Sequence, residues 1–174
     1  MHMKLNIRKY KEVSNNKLLM KRIIQLTAIF VVLAAGIARA QTGMHISNVL
    51  GGKYVSDPSV TEVMMSGDQS FLRACGLTTL ATFRGASETY APILQPLVLA
   101  DGAKAVGRNV RYKEGKLQYA FFMLPPATVN DKRVNRYLYY LNNPEGKKPS
   151  VIMIYFDGKI SRSEAEDLIS SLSK

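Results

Sequence analysis

Three patterns of hydrophobic and polar positions follow one another along this chain, and each predicts a different kind of element. The first is an uncharged run dominated by apolar residues, Ile23 to Ala38, 16 residues long. The second is a series of short runs rich in β-branched and aromatic residues, closed off by Gly, Pro, Asn and Asp, which read as strands. Val60 to Met65 lies between Asp57-Pro58 and Gly67, and Leu77 to Phe83 follows it. Val106 to Lys113 and Lys116 to Leu124 flank Glu114-Gly115, a hairpin signal, and Pro125-Pro126 is expected to end the latter strand. Val134 to Leu141 and Val151 to Phe156 flank the turn-rich stretch Asn142-Asn143-Pro144-Glu145-Gly146. Sequential strands with short connections usually pair antiparallel.

The third pattern is helical. Leu94, Leu97 and Val98 recur at i, i+3, i+4, predicting a helix from Ser87 or Ala91 to near Lys104, with Asp101-Gly102 as a stop. Pro92 suits a first turn, whereas Pro96 removes a hydrogen bond if the helix begins much earlier. Ala165, Leu168, Ile169 and Leu172 form a second stripe. Ser163 with Glu166, or Ser161 with Glu164, has the spacing of a capping box. Glu164, Glu166 and Asp167 then lie where the helix dipole favours negative charge, which accounts for this acidic cluster without catalysis. Met44 to Leu50 reads as a helical turn, and Asp68 as the cap of a short helix through Ala74. The expected fold class is α+β: a mainly antiparallel five- to six-stranded sheet with two main helices packed on one face.

The late strands carry apolar residues on both sides of the pleat. Ile152, Ile154 and Phe156 oppose Val151, Met153 and Tyr155, and Leu117, Tyr119, Phe121 and Met123 oppose Ala120, Phe122 and Leu124. A half-exposed strand would alternate with polar residues, so both sheet faces need a cover. Two helices suffice for one. The other face is richer in tyrosine, with Tyr137, Tyr139 and Tyr155 aligned there if the register permits. Either loops and the N-terminal segment cover it, or it is an aromatic surface for a partner. Arg133 and Arg136 would add basic character to that candidate partner surface, although such residues more often form a solvated strand edge.

The apolar run changes the cellular picture. Met20-Lys21-Arg22 precedes it, and Ala38-Arg39-Ala40 ends it with small residues at the two positions that a signal peptidase reads. Its 16 residues fall short of the roughly 20 needed to span a bilayer. Residues 20–40 are therefore expected to be a signal peptide cleaved between Ala40 and Gln41. Residues 1–19 form a basic leader or a mis-assigned start before Met20, and residues 41–174 a single exported domain without a stable membrane span. The whole chain has 24 Lys and Arg against 13 Asp and Glu, a net +11. Eight of those cations and one acid precede residue 41, leaving 16 against 12, or +4, which gives no argument for nucleic acid.

The chemistry is sparse. His45 is the only histidine after residue 40 and Cys75 the only cysteine, so neither a His-pair metal site nor an internal disulfide is expected. Cys75 reads as a small core residue; a reactive or intermolecularly paired thiol is the alternative. Gly51-Gly52-Lys53 is a turn signal, and no nucleophile elbow, phosphate loop or dinucleotide fingerprint is present. No catalytic residue and no cofactor is expected.

Several stretches together resemble a family of small exported bacterial proteins classed as a domain of unknown function. They are Asn48-Val-Leu-Gly-Gly-Lys-Tyr54, Val60-Thr-Glu-Val63, Asp101-Gly-Ala-Lys-Ala-Val106, Leu117 to Pro126, Asn135-Arg-Tyr-Leu-Tyr-Tyr-Leu-Asn142 and Val151 to Lys159. They span most of the mature domain, and their character is structural, so the resemblance carries over no functional residue. The expected function is a non-catalytic binding module of the periplasm or exterior. Its partner would be a protein, peptide or glycan of the envelope, or a second copy in a homodimer. The rival is a periplasmic enzyme using carboxylate or Ser/Lys chemistry that sequence does not reveal.

Overall fold

The computed structural model describes residues 43–129 and 131–172. The segments expected to be a leader and a signal peptide, with the expected Ala40–Gln41 cleavage junction, lie outside the described residues. The chain divides into two compact units, of which Val31–Arg162 holds the sheet; the described part of the other is residues 163–172.

Six strands form one sheet: β1 (Thr61–Ser66), β2 (Leu77–Ala86), β3 (Gly107–Lys113), β4 (Lys116–Val129), β5 (Lys132–Asn143) and β6 (Ser150–Gly158). Their order is β1-β2-β6-β5-β4-β3, and every neighbouring pair is antiparallel. Strands β3 to β6 form a meander, as the short connections predict. The sheet closes up where β6 pairs with β2, a contact between strands far apart in sequence. A short helix, α1 (Ser70–Ala74), joins β1 to β2, and α2 (Ser87–Gly102) carries the chain from β2 to the opposite edge. The α+β reading and the antiparallel sheet are both observed.

Helix α2 begins directly after β2, so both prolines fall inside it. The helix turns them outward while burying Ala91, Leu94 and Val98. Carbonyls freed on a solvent face can bond water, which limits the cost of the missing N–H groups. Below it lie Ala81, Phe83, Val151, Met153, Tyr155, Leu138, Tyr140, Ala120 and Phe122, the core of this face. Gly102 ends the helix for a packing reason. A Cβ there would sit 2.5 Å from the Phe122 ring, too close for two unbonded carbons. At the sheet end, a Cβ on Gly158 would lie 2.2 Å from the Gly76 carbonyl oxygen, so β6 can run this close to β2 only as glycine.

Two local expectations are corrected. Asp68 does not cap α1; Gln69 holds that position, and Asp68 instead pairs with Arg73 at 2.9 Å. Pro125-Pro126 does not end β4, because the strand continues to Val129. The prolines sit in a bulge between Leu124 and Ala127, where the ladder skips positions and no N–H is required of them. The Arg136 Nε donates to the Pro125 carbonyl at 2.8 Å and fastens the bulge.

The Glu114-Gly115 hairpin has φ of 52° and 74° at its two central residues, the doubly left-handed geometry that suits strand twist. Near the start of the described chain, a 3-10 turn at His45–Asn48 is tied to α2 by one carboxylate. Asp101 accepts the His45 N–H at 2.8 Å, the Ile46 N–H at 2.9 Å and the His45 ring Nδ1 at 2.9 Å. The C-terminal helix, α3 (Arg162–Leu172), starts so that Ser161 holds the N-cap position with Glu164 three residues on. Ala165, Leu168 and Ile169 are buried and Glu164, Glu166 and Asp167 exposed, the division its periodicity predicts.

Candidate functional site

Cross-strand register separates the residues assigned to the candidate partner surface. Tyr137 lies opposite Phe156 and Tyr139 opposite Ile154, on the sheet face away from α2. Tyr155 pairs with Leu138 and therefore joins the α2-side core. A single residue of register decides this, because successive side chains alternate faces. Tyr137, Tyr139 and Tyr155 are 1%, 3% and 0% exposed, so they do not form an open aromatic surface. Tyr137 stacks between Phe121 and Phe156 at 5.8 and 5.2 Å, and its hydroxyl donates to the Ile160 carbonyl. Burial pushes the Tyr139 hydroxyl up to about 12, with Tyr119 adding to the shift. Arg133 is exposed opposite Thr128, on the face of Tyr137, while Arg136 lies opposite Asp157 on the other face.

The other singled-out residues are quiet. His45 is exposed and engaged with Asp101. Cys75 is half-buried, and desolvation pushes its thiol up, away from the reactive thiolate. Among the described residues, no group of three or more His, Cys, Asp or Glu side chains is placed to hold a metal ion. No described helix is long and apolar enough to cross a membrane.

A cleft of about 310 Å³ opens elsewhere, at the end of the sheet where the β3–β4 hairpin meets the β5–β6 loop. Arg111 and Lys113 line it from β3, Gln118 and Tyr119 from β4, and Asn143 and Glu145 from the end of β5 and the loop beyond. A bulge between Arg111 and Tyr112 shapes it, because the register slips so that Arg111 faces Tyr119 while Tyr112 faces Leu117. Leu117, expected on the face of Tyr119, thereby drops instead into the α2-side core, and both Gln118 and Tyr119 reach the cleft.

The cleft is built in layers from the sheet outward. Tyr139, in the buried aromatic row, meets Tyr119 edge-on with ring centres 5.7 Å apart. The Arg111 guanidinium lies over the Tyr119 ring, 5.0 Å from its centre. This is cation–π geometry, and it fixes the direction of the guanidinium fork. Lys113 donates to Glu145 across the mouth, and that contact pushes the lysine pKa up. Arg111 has no such partner, since none of the ion pairs among the described residues includes it. Below, the Ser87 hydroxyl donates to the buried Asn142 Oδ1 at 2.6 Å, holding the end of β5 against the start of α2. The result is an oriented guanidinium, with amide side chains beside it. This arrangement suits recognition of a carboxylate or another planar oxyanion. Sequence reasoning missed it because the bulge between Arg111 and Tyr112 sets which residues share the cleft, and a bulge leaves little trace in composition.

An antiparallel α+β domain with a small cationic cleft backed by tyrosine is the class that fold and geometry define. The chain belongs to the family of unknown function DUF6108, which matches residues 33–169. The expected membership in a family of unknown function is therefore observed. No curated protein matches the chain. Among solved structures, the extracellular domain of PknH from Mycobacterium tuberculosis is similar over 79% of this chain and 95% of its own, at 7% identity and a TM-score of 0.23. At that score the likeness carries no argument.

Proposed function

We propose that this protein is an exported, non-catalytic binding module of the cell envelope, and that it binds through the Arg111 cleft. The observation that carries the reading is the guanidinium held over Tyr119, with no ion-pair partner among the described residues, facing an open cavity of about 310 Å³. Small-ligand sites begin at about 300 Å³, so the space accommodates a side chain or a sugar residue rather than a large cofactor. Export rests on the basic start, the apolar run and the Ala38-Arg39-Ala40 end of residues 20–40. The rival, an envelope enzyme using carboxylate or Ser/Lys chemistry, lacks support at the cleft. There the carboxylate, Glu145, is committed to Lys113. Asp157, a carboxylate whose pKa desolvation raises to about 6, is wholly buried.

The test is in-cell crosslinking of a C-terminally tagged chain and its Arg111→Glu variant, with mass analysis of the envelope fraction. The expected result is a species beginning at Gln41, crosslinked to one recurring partner that the variant loses. A chain retained uncleaved in the cytoplasm would overturn export. A partner captured equally by both forms would overturn the cleft.

A further inference from the structure

Strand β3 is an edge strand. It pairs with β4 on one side, and among the described residues no strand pairs with the other. Alternate residues therefore direct their N–H and C=O groups outward, a row of unsatisfied donors and acceptors. The strand holds Arg108, Arg111 and Lys113 and no acidic residue. Arg108 lies opposite Phe122, on the α2 side, and Arg111 opposite Tyr119, on the cleft side. Neither belongs to an ion pair among the described residues. Large apolar residues mark the two ends of this edge: Val106 is 60% exposed and Tyr112 56%.

These features select a partner by charge as well as by shape. A second copy of β3 laid antiparallel would bring three cations beside three with no acid between them, which disfavours self-pairing. An acidic strand would instead gain the ladder of backbone hydrogen bonds and two charge-assisted contacts. Its side chains alternate faces, so two acids an odd number of positions apart would meet Arg108 on one face and Arg111 on the other. We propose that the outer edge of β3 takes an extended acidic segment of a partner protein as a seventh strand, with one carboxylate seated on Arg111 in the cleft. The proposal rests on the cleft reading above and names its partner.

The test uses the chain as purified from the cells that make it. The probe is a fluorescein-labelled peptide, acetyl-Val-Glu-Thr-Thr-Glu-Val-Thr-amide, followed by anisotropy. Two isomers carry backbone N-methyl groups on alternate residues, one on the odd set and one on the even. N-methylation deletes the hydrogen-bond donors of one edge of the peptide and leaves its charges in place. Strand addition predicts that one isomer loses about tenfold or more in affinity while the other stays close to the parent. A peptide with lysine in place of both glutamates should not bind. If both isomers bind like the parent, strand addition is wrong. The cleft reading would survive that result provided N-acetylglutamate alone shifts the Arg111 Nε–Hε resonance. Failure of the peptide and of N-acetylglutamate together would overturn both.

Discussion

Replacing Asp157 by asparagine tests how the core of this sheet handles a buried charge. Asp157 sits near the end of β6 on the α2-side face, opposite Thr79 on β2 and Arg136 on β5. It is 0% exposed. The Tyr155 hydroxyl donates to Oδ2 at 2.9 Å, while among the described residues Oδ1 has no hydrogen-bond partner. Desolvation raises its pKa from 3.8 to about 6, against the opposing help of Tyr155, Thr79 and Arg136. The folded state therefore holds this proton more tightly than the unfolded chain does. Stability contributed by the protonated form is complete below about pH 4 and is lost as pH rises through about 6. Near two pKa units at 1.36 kcal/mol each, that loss is about 3 kcal/mol. Urea unfolding followed by near-ultraviolet circular dichroism suits the measurement, because the chain has nine tyrosines and no tryptophan. Midpoints collected from pH 4 to 7 should give a difference curve, wild type minus Asp157→Asn, that falls by about 3 kcal/mol across the interval. The slope is the readout, since the asparagine amide changes the absolute stability in its own way. A flat difference curve would refute the argument and mean that Arg136 fully compensates the charge. A rising one would mean that the pair acts as a stabilising buried salt bridge.

Other expectations follow from single contacts. Asp101→Ala removes the carboxylate that accepts two backbone N–H groups of the 3-10 turn. It should cost about 2–3 kcal/mol and selectively raise hydrogen exchange at residues 45–50. Glu114→Asn should stabilise the protein by about 0.5–1 kcal/mol, read as a higher melting temperature, because asparagine tolerates the left-handed φ of 52° better than glutamate. Tyr137→Ser should cost about 3–5 kcal/mol by emptying the site between Phe121 and Phe156. A variant that kept wild-type stability and lost only partner binding would show that this tyrosine belongs to a surface after all.

How much of this was legible beforehand depends on the range of the interaction concerned. The hairpin at Glu114-Gly115 and the α3 stripe of Ala165, Leu168 and Ile169 were readable, because turn chemistry and helical period are properties of neighbours in sequence. So was the number of strands, and so was the apolar character of both faces of β6. The path of β4 through Pro125-Pro126 was not readable, because proline ends a regular strand but is accommodated in a bulge, and only the partner strand determines which occurs. The placement of Tyr155 failed for a related reason. Which face its alternation points to depends on the register between β5 and β6, and one step reverses every side chain. The Arg111 cleft lay furthest from view: it joins β3, β4 and the β5–β6 loop through a bulge beside Leu117. Local pattern by itself determined the elements, their antiparallel class and the apolar run that points to export. Tertiary structure alone decided which tyrosines are core and which cation faces an open cleft, because both follow from contacts between residues that the chain keeps far apart.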